Sequence, residues 1–554
     1  MYHYNEQDRA DLQARRQVFQ HQLQRYLDGK ISDEEFRPIR LRQGLYVQRH
    51  APMLRVAVPY GMLSSPQLRA LAQIALQFDK GFCHISTRQN VQFNWIAMDN
   101  IAKALDTLAE VDMHSVQTSG DCIRNITSDA FAGVAQDELI DPRPYCELIR
   151  QWSIGHPEFA YLPRKFKIAI TGAKHDRAML QAHDIGLRVR HHSKQGNGFE
   201  VFVGGGLGRT PVIGSTLSLF VPEREILAYL TAIIRVYNLH GRRDNKYKAR
   251  IKILVKSIGI QAFKKQVDEE FKRTQEEVPC LSPSRIDSIA THFSPPPYEQ
   301  LDSSYAGLFL MTLERQNPSF SRWLKQNTHP HKIGGYRSVT LSLKSPNAAP
   351  GDVSTNQLLA IATLADHYSF GVVRSTHEQN LVLADVMETN LYALWKHLIQ
   401  QDLAAPTIGT IHDIICCPGL DYCSLANTQS LPLAKAIQTR FDNLDYVYDI
   451  GDLSFNISGC MNACAHHHLA NIGILGVVKK GAPYFQITLG GKKGNESTLG
   501  KILGPSVAEN DVPNAIEKII QSYLSQRQGD EPFIDTYLRV GIKPFKEAVY
   551  GDAN

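Results

Sequence analysis

Five of the nine cysteines crowd into residues 416–464. Cys417-Pro-Gly-Leu-Asp-Tyr-Cys423 gives C-x5-C, and Cys460-Met-Asn-Ala-Cys464 gives C-x3-C. Two close pairs on separate loops can deliver four thiolates to one metal centre. Pro418, Gly419 and Gly459 permit tight turns that aim backbone amides at sulfur. Zinc ribbons favour C-x2-C, because one tetrahedral ion wants closer sulfurs. The longer spacings suit the larger cubane, with buried reduced thiols as the plain alternative. Cys416 makes C-x6-C equally available, and spacing does not choose between Cys416 and Cys417. An odd cysteine count without an export signal argues against a disulfide framework. His466, His467 and His468 follow directly; three successive residues cannot share a helix face, so a solvated or cleft-lining role is expected for them.

A second set of chemistry-bearing residues is cationic. Arg55 lies in MLRVAVPYG, Arg88 in STRQNVQF, Arg124 in GDCIRNIT, and Lys165 and Lys167 in PRKFKIAITG. Side chains alternate along a strand, so Lys165 and Lys167 should share one face, with Phe166, Ile168 and Ile170 in a core. Like charges side by side repel unless an anion sits between them; an exposed edge strand carrying lysines explains the pattern equally well.

The elements that position these residues come in two copies. QLRALAQIALQFDKGFCHISTRQN from Gln67 aligns without a gap with QLLAIATLADHYSFGVVRSTHEQN from Gln357, at an offset of 290 residues. Each copy reads as an amphipathic helix, a Gly turn and a strand. FEVFVGGGLG from Phe199 resembles YFQITLGGKKG from Tyr484, each before a helix opened by Val-Pro, at Pro222 and Pro513. The expectation is a pseudo-twofold α+β protein whose halves meet across a cleft, a common seat for a large cofactor. Residues 240–330 read as the end of the first half and a linker. Arg88 in the first copy corresponds to Glu378 in the second, so the two ancestral sites should not be equally reactive.

A chain of 554 residues is expected to form three or four domains. A net charge of +5 without a long basic block speaks against nucleic-acid binding. The first residues lack the apolar stretch of a secretory signal, and no apolar run is long enough to span a membrane, so the cytoplasm is the expected address.

With these motifs assembled, the chain resembles the haemoprotein component of assimilatory sulfite reductases, within the sulfite/nitrite reductase family. The likeness runs from about residue 40 to the C-terminus and rests on the duplication, C-x5-C with C-x3-C, MLR, TRQNVQ and RKFK. It implies ferredoxin-like half-domains plus two α+β domains that bind siroheme and a 4Fe–4S cluster. The implied division is an N-terminal helical extension (1–50), a half-domain (51–118), a siroheme-binding domain with linker (119–325), a second half-domain (326–404) and a cluster- and siroheme-binding domain (405–554). By the resemblance Cys417, Cys423, Cys460 and Cys464 hold the cluster, with Cys464 shared with the siroheme iron. Arg55, Arg124, Lys165 and Lys167 match substrate-binding cations. Arg88, Gln89, Gln92, Gln379 and Asn462 match positions near the macrocycle or its carboxylates. The implied reaction is six-electron reduction of sulfite to sulfide, with the arginines clamping the oxyanion and the lysines delivering protons. Nitrite is the alternative substrate, and a zinc-stabilised, non-catalytic binding protein the remote one. AHHHLANIG after Cys464 departs from the small or acidic residues of many relatives, which bears on the surface near electron entry. GGGLG lacks the spacing of a dinucleotide fingerprint, so electrons should come from a flavoprotein subunit or a ferredoxin.

Overall fold

The structure, a computed structural model, describes residues 1–300 and 303–551. Leu301 and Asp302, within the expected linker, and residues 552–554 of the last expected domain lie outside that description.

Two helices, Glu6–Leu27 and Asp33–Arg42, open the chain, each begun by a capping box, Asn5 with Asp8 and Ser32 with Glu35. The duplicated helices follow the same local rule twice. Ser64 caps Ser65–Phe78 with Gln67 returning the bond, and Ser354 caps Thr355–Tyr368 with Gln357. The two helices pack on one another. Each is followed by the expected strand, Phe82–Ile85 and Val372–Ser375.

The half-domains do not stand alone. The first sheet runs Leu45–Val47, Pro52–Val56, Val91–Phe93, Phe82–Ile85, and is completed by Asp352–Ser354 from the second repeat. The second runs Thr328–Pro330, Tyr336–Leu341, Leu381–Met387, Val372–Ser375, and is completed by Met62–Ser64 from the first. This reciprocal exchange puts side chains of both repeats, from Leu63 and Leu68 to Leu358 and Ile361, into one core. The exchange is a long-range pairing that no local pattern announces.

The other two sheets are built alike. Thr127–Ser128, Ile168–Thr171 and Ile185–His192 run parallel, and the chain then turns back through Gly196–Val203 and Ser215–Pro222. Ile415–Cys416, Phe455–Ser458 and Ile472–Lys479 repeat the parallel part, with Ala482–Leu489 turning back. Each has its own core.

Two expectations need correction. Pro222 ends a strand rather than opening a helix; a 3-10 turn, Glu223–Glu225, intervenes before helix Ile226–His240, whereas Pro513 does sit in the first turn of Val512–Gln526. Residues 240–330 are mostly helical, with Ile251–Ile258, Ile260–Glu277, Pro283–Ala290, Ser303–Gln316 and Pro318–Asn327. Ile251, Val255, Phe263 and Val267 bury an apolar stripe in the core of the first α+β domain, which the surrounding lysines and arginines mask in composition.

Candidate functional site

The four proposed cluster cysteines share one neighbourhood. Cys417 follows the short strand Ile415–Cys416, and Cys460 and Cys464 follow the adjacent parallel strand Phe455–Ser458. The amide of Gly459 donates to Cys417 Sγ at 3.2 Å. Burial, and then the nearby Cys464, push the Cys417 thiol up to about 12. Burial pushes Cys460 up to about 11 against an Asn462 amide bond, with Cys464 and Cys423 adding to the rise. Burial and Cys464 also raise Cys423. Amides therefore do point at sulfur, and Cys464 lies within electrostatic reach of the other three. Among the described residues no three His, Cys, Asp or Glu converge as a single ion requires. Cys416 is separated from this set: its side chain is fully buried in the apolar core of the last domain. Alternation along the strand turns Cys416 inward and leaves Cys417 to the loop.

Cys464 is exposed toward the cleft between the halves, and its carbonyl accepts a 2.6 Å hydrogen bond from Thr87 Oγ1 of the first repeat. Facing it are the cations. Lys165 and Lys167 precede strand Ile168–Thr171, while Phe166, Ile168 and Ile170 are wholly buried, as alternation requires. Burial, then Arg124 and Arg250, lower Lys165 to about 8, with Cys464 acting in the opposite sense. Burial, Arg88 and Lys165 push Lys167 far below the usual lysine range. Arg55 Nε donates to Gln92 Oε1 at 2.9 Å, and its Nη1 lies 3.3 Å from the Tyr46 hydroxyl. Arg124 bonds the carbonyls of Thr118, at 2.9 Å, and Gly120, at 2.7 Å. Arg88 bonds Thr127, Asn125 and His183. None of these five cations forms an ion pair among the described residues; the neighbouring Asp184 is taken by Arg250 and by the backbone N–H of Lys167. A cleft walled by uncompensated positive charge fits an oxyanion and a polycarboxylate macrocycle.

Gln89 and Gln379, expected near the macrocycle, turn their side chains into the protein. Both adopt left-handed backbone, at φ 58° and 59°, and their side chains are buried. Gln89 donates to the carbonyls of Ser128 and Ser375, both at 3.0 Å, and accepts from Ser128 N. Gln379 grips Cys416 in the same manner. Their amides are spent largely on backbone groups, so they tie neighbouring strands together. Gln92 is likewise buried beneath Arg55, whereas Asn462 is exposed beside Cys460. The histidines separate: His466 is buried near Lys167, His377 and Arg88; His467 is fully buried with neither nitrogen partnered; His468 Nε2 donates to Gly208 O at 3.1 Å. His466 and His467 are thus not solvated.

Several residues carried no sequence signal. Arg250 pairs with Asp184, and Lys252 Nζ is held by the carbonyls of Gly206, Leu207 and Thr210, at 3.1, 2.8 and 2.6 Å. Both lie in the basic stretch read as a linker. The loop that Lys252 ties down runs to Gly208, beside Met461 and Asn462 of the cluster loop. Tyr46 lies against Arg55, His183 against Arg88, and His377 against the Thr87 carbonyl. Lys493 pairs with Glu378, the residue standing where the first repeat has Arg88.

Two family models cover most of the chain: the nitrite and sulphite reductase 4Fe-4S domain at residues 119–275 and 409–553, and the nitrite/sulfite reductase ferredoxin-like half domain at 46–111 and 329–401. The sulfite reductase (ferredoxin) 2 of Mycolicibacterium paratuberculosis is 28% identical over 88% of this chain and 82% of its own length. The ferredoxin–nitrite reductase of Synechococcus elongatus is 28% identical over 84% of this chain and 85% of its own. The solved structure of the Mycobacterium tuberculosis NirA protein superposes with a TM-score of 0.76 at 26% identity, covering 93% of this chain and 92% of that one. Siroheme and a 4Fe–4S cluster are the cofactors of these enzymes, and the thiols and the cation-walled cleft fit both. The zinc-stabilised reading gives way accordingly. With each half of its duplicated fold matched twice over, the chain belongs to the nitrite and sulfite reductase family.

Proposed function

We propose that this oxidoreductase reduces sulfite to sulfide, drawing electrons from a ferredoxin. The observation that carries the reading is the convergence of Arg55, Arg124, Lys165 and Lys167 on one side of the cleft. Two guanidiniums and two amines balance a dianion better than the monoanion nitrite. When bound, siroheme and the cluster supply the electrons and the metal site for the oxyanion. In this reading Cys417, Cys423, Cys460 and Cys464 hold the cluster, with Cys464 the shared thiolate. Arg55 and Arg124, fixed by Gln92 and by backbone carbonyls, hold the substrate oxygens. Lys165 and Lys167 hold and release protons as each oxygen leaves as water; burial and the neighbouring cations lower their proton affinity, which eases donation. Arg88 binds a carboxylate of the macrocycle, Gln92 steadies Arg55, and Asn462 lies at the cofactor edge. Gln89 and Gln379 act by holding strands.

The ferredoxin donor is supported by the names of the mycobacterial and cyanobacterial relatives. Nitrite stays the second reading, because a nitrite reductase matches at the same 28% identity. Steady-state turnover of sulfite and nitrite by the purified holoenzyme, with an artificial reductant and then with ferredoxin, tests both parts. A higher kcat/KM for sulfite is expected; a higher value for nitrite overturns the assignment.

A further inference from the structure

Arg88 is aimed by an unusually defined acceptor. Its Nη2 donates to the Asn125 carbonyl at 2.9 Å, and its Nη1 donates to Thr127 Oγ1 at 3.1 Å and to Nε2 of His183. The other nitrogen of that ring, His183 Nδ1, lies 2.8 Å from the carbonyl of Met179. A carbonyl only accepts, so Nδ1 carries the hydrogen and the neutral ring leaves Nε2 as a bare lone pair. That is the one tautomer that can receive a guanidinium. The local backbone enforces it. Met179 sits at φ 56°, ψ 50°, left-handed geometry that a non-glycine residue seldom adopts, and the 3-10 turn Leu180–Ala182 then brings His183 round beneath the Met179 carbonyl. His183 is 3% exposed. Burial, and then the Arg88 and Lys167 charges, keep its proton affinity far below the usual imidazole range, so the ring stays neutral.

Three of the five N–H groups of Arg88 are consumed by these partners. The remaining two, Nε–H and one on Nη2, have no partner among the described residues and are available to a carboxylate. The opposite half of the cleft has no counterpart, because Glu378 stands at the repeat position.

We infer that His183 is a positioning residue whose Nε2 lone pair locks the Arg88 guanidinium so that its unpartnered N–H groups face the macrocycle. The inference rests on the reading of Arg88 as a carboxylate-binding residue. Gln at position 183 can imitate the arrangement, its oxygen accepting from Arg88 and its amide donating to Met179. Phe fills the space without either bond.

The test uses holoenzyme purified from cells that supply siroheme. It measures siroheme retained per chain after dilution, the visible absorption bands, and iron and acid-labile sulfide as an independent count of the cluster. His183→Phe is expected to release siroheme about tenfold faster with shifted bands, as loss of a hydrogen bond to a charged group implies, while the cluster count holds. His183→Gln should restore retention and spectrum. In an Arg88→Met background His183→Phe should add nothing, the mark of two residues acting as one. Wild-type retention in His183→Phe, failure of Gln to rescue, or fully additive losses in the double variant would each overturn the inference. If Arg88→Met loses siroheme and His183→Phe does not, the positioning role alone falls. If Arg88→Met keeps siroheme unchanged, the reading of Arg88 falls and takes the inference with it.

Discussion

Gln379 and Cys416 exchange two hydrogen bonds: the Gln379 amide donates to the Cys416 carbonyl at 3.1 Å, and the Cys416 N–H donates to Gln379 Oε1 at 2.9 Å. The half-domain thereby fixes the backbone of the residue immediately before Cys417, a proposed cluster ligand. Gln379→Leu should strand both buried backbone groups and cost about 2–4 kcal/mol, with iron and acid-labile sulfide per chain falling alongside the melting temperature. Full cluster content in that variant would show that the strand is held by other means.

Cys416 and Cys417 should behave oppositely on replacement. Cys416→Ala removes one buried sulfur from an apolar core, a loss of about 1–2 kcal/mol, and leaves the cluster in place. Cys417→Ala should abolish it. Iron and sulfide analysis of the two purified variants decides.

Lys167→Met should reduce turnover by about 10²- to 10⁴-fold, the range for loss of a proton-transfer group, with both cofactor spectra intact. Loss of either cofactor from this variant would assign Lys167 to cofactor binding instead.

Tyr46 should titrate early. Burial raises its phenol, but the Arg55 and Arg124 guanidiniums, the Ser119 hydroxyl and Lys165 more than reverse this, to about 8. An unfolded tyrosine ionises near about 10, so the folded state favours the phenolate. That contribution to stability is fully present above pH ~10 and is lost as pH falls through ~8. A phenolate band in the ultraviolet difference spectrum, rising near pH 8 and absent in Tyr46→Phe, is the expected signature. Sulfite, by neutralising the cations, should move it to higher pH.

The exchanged strands predict that neither half folds alone. Asp352–Ser354 completes the first sheet, where Asp352 pairs with His84 at 2.8 Å, and Met62–Ser64 completes the second. Residues 1–300 expressed alone should lack cooperative unfolding, and co-expression with the remainder should yield a stable complex on size-exclusion chromatography. A folded, monomeric first fragment would count against this.

Much of the site was legible because its signals are local. Cysteine spacing, lysines two apart on an extended segment, and a repeat with Gln67 and Gln357 at equivalent caps all depend on residues close in sequence. Gln89 and Gln379 stand out in the sequence as identical residues at equivalent repeat positions, but that identity does not show that their amides bond backbone groups of distant strands, which only the folded chain brings within reach. Arg250 and Lys252 were lost in a charge-rich stretch because a helix hides its apolar stripe among lysines. His183 and Tyr46 were missed because a single His or Tyr has no spacing to betray it.

The sequence by itself determined the duplication, the two close cysteine pairs that the proposed cluster assignment rests on, and the family, since each is written in short-range order. Tertiary structure decided which of two adjacent cysteines is buried in a core, which residues of each repeat complete the other's sheet, and which acceptors aim the cations. Those are set by pairings between segments tens to hundreds of residues apart, whose free energy comes from burial and hydrogen bonds that exist only once the chain has closed on itself.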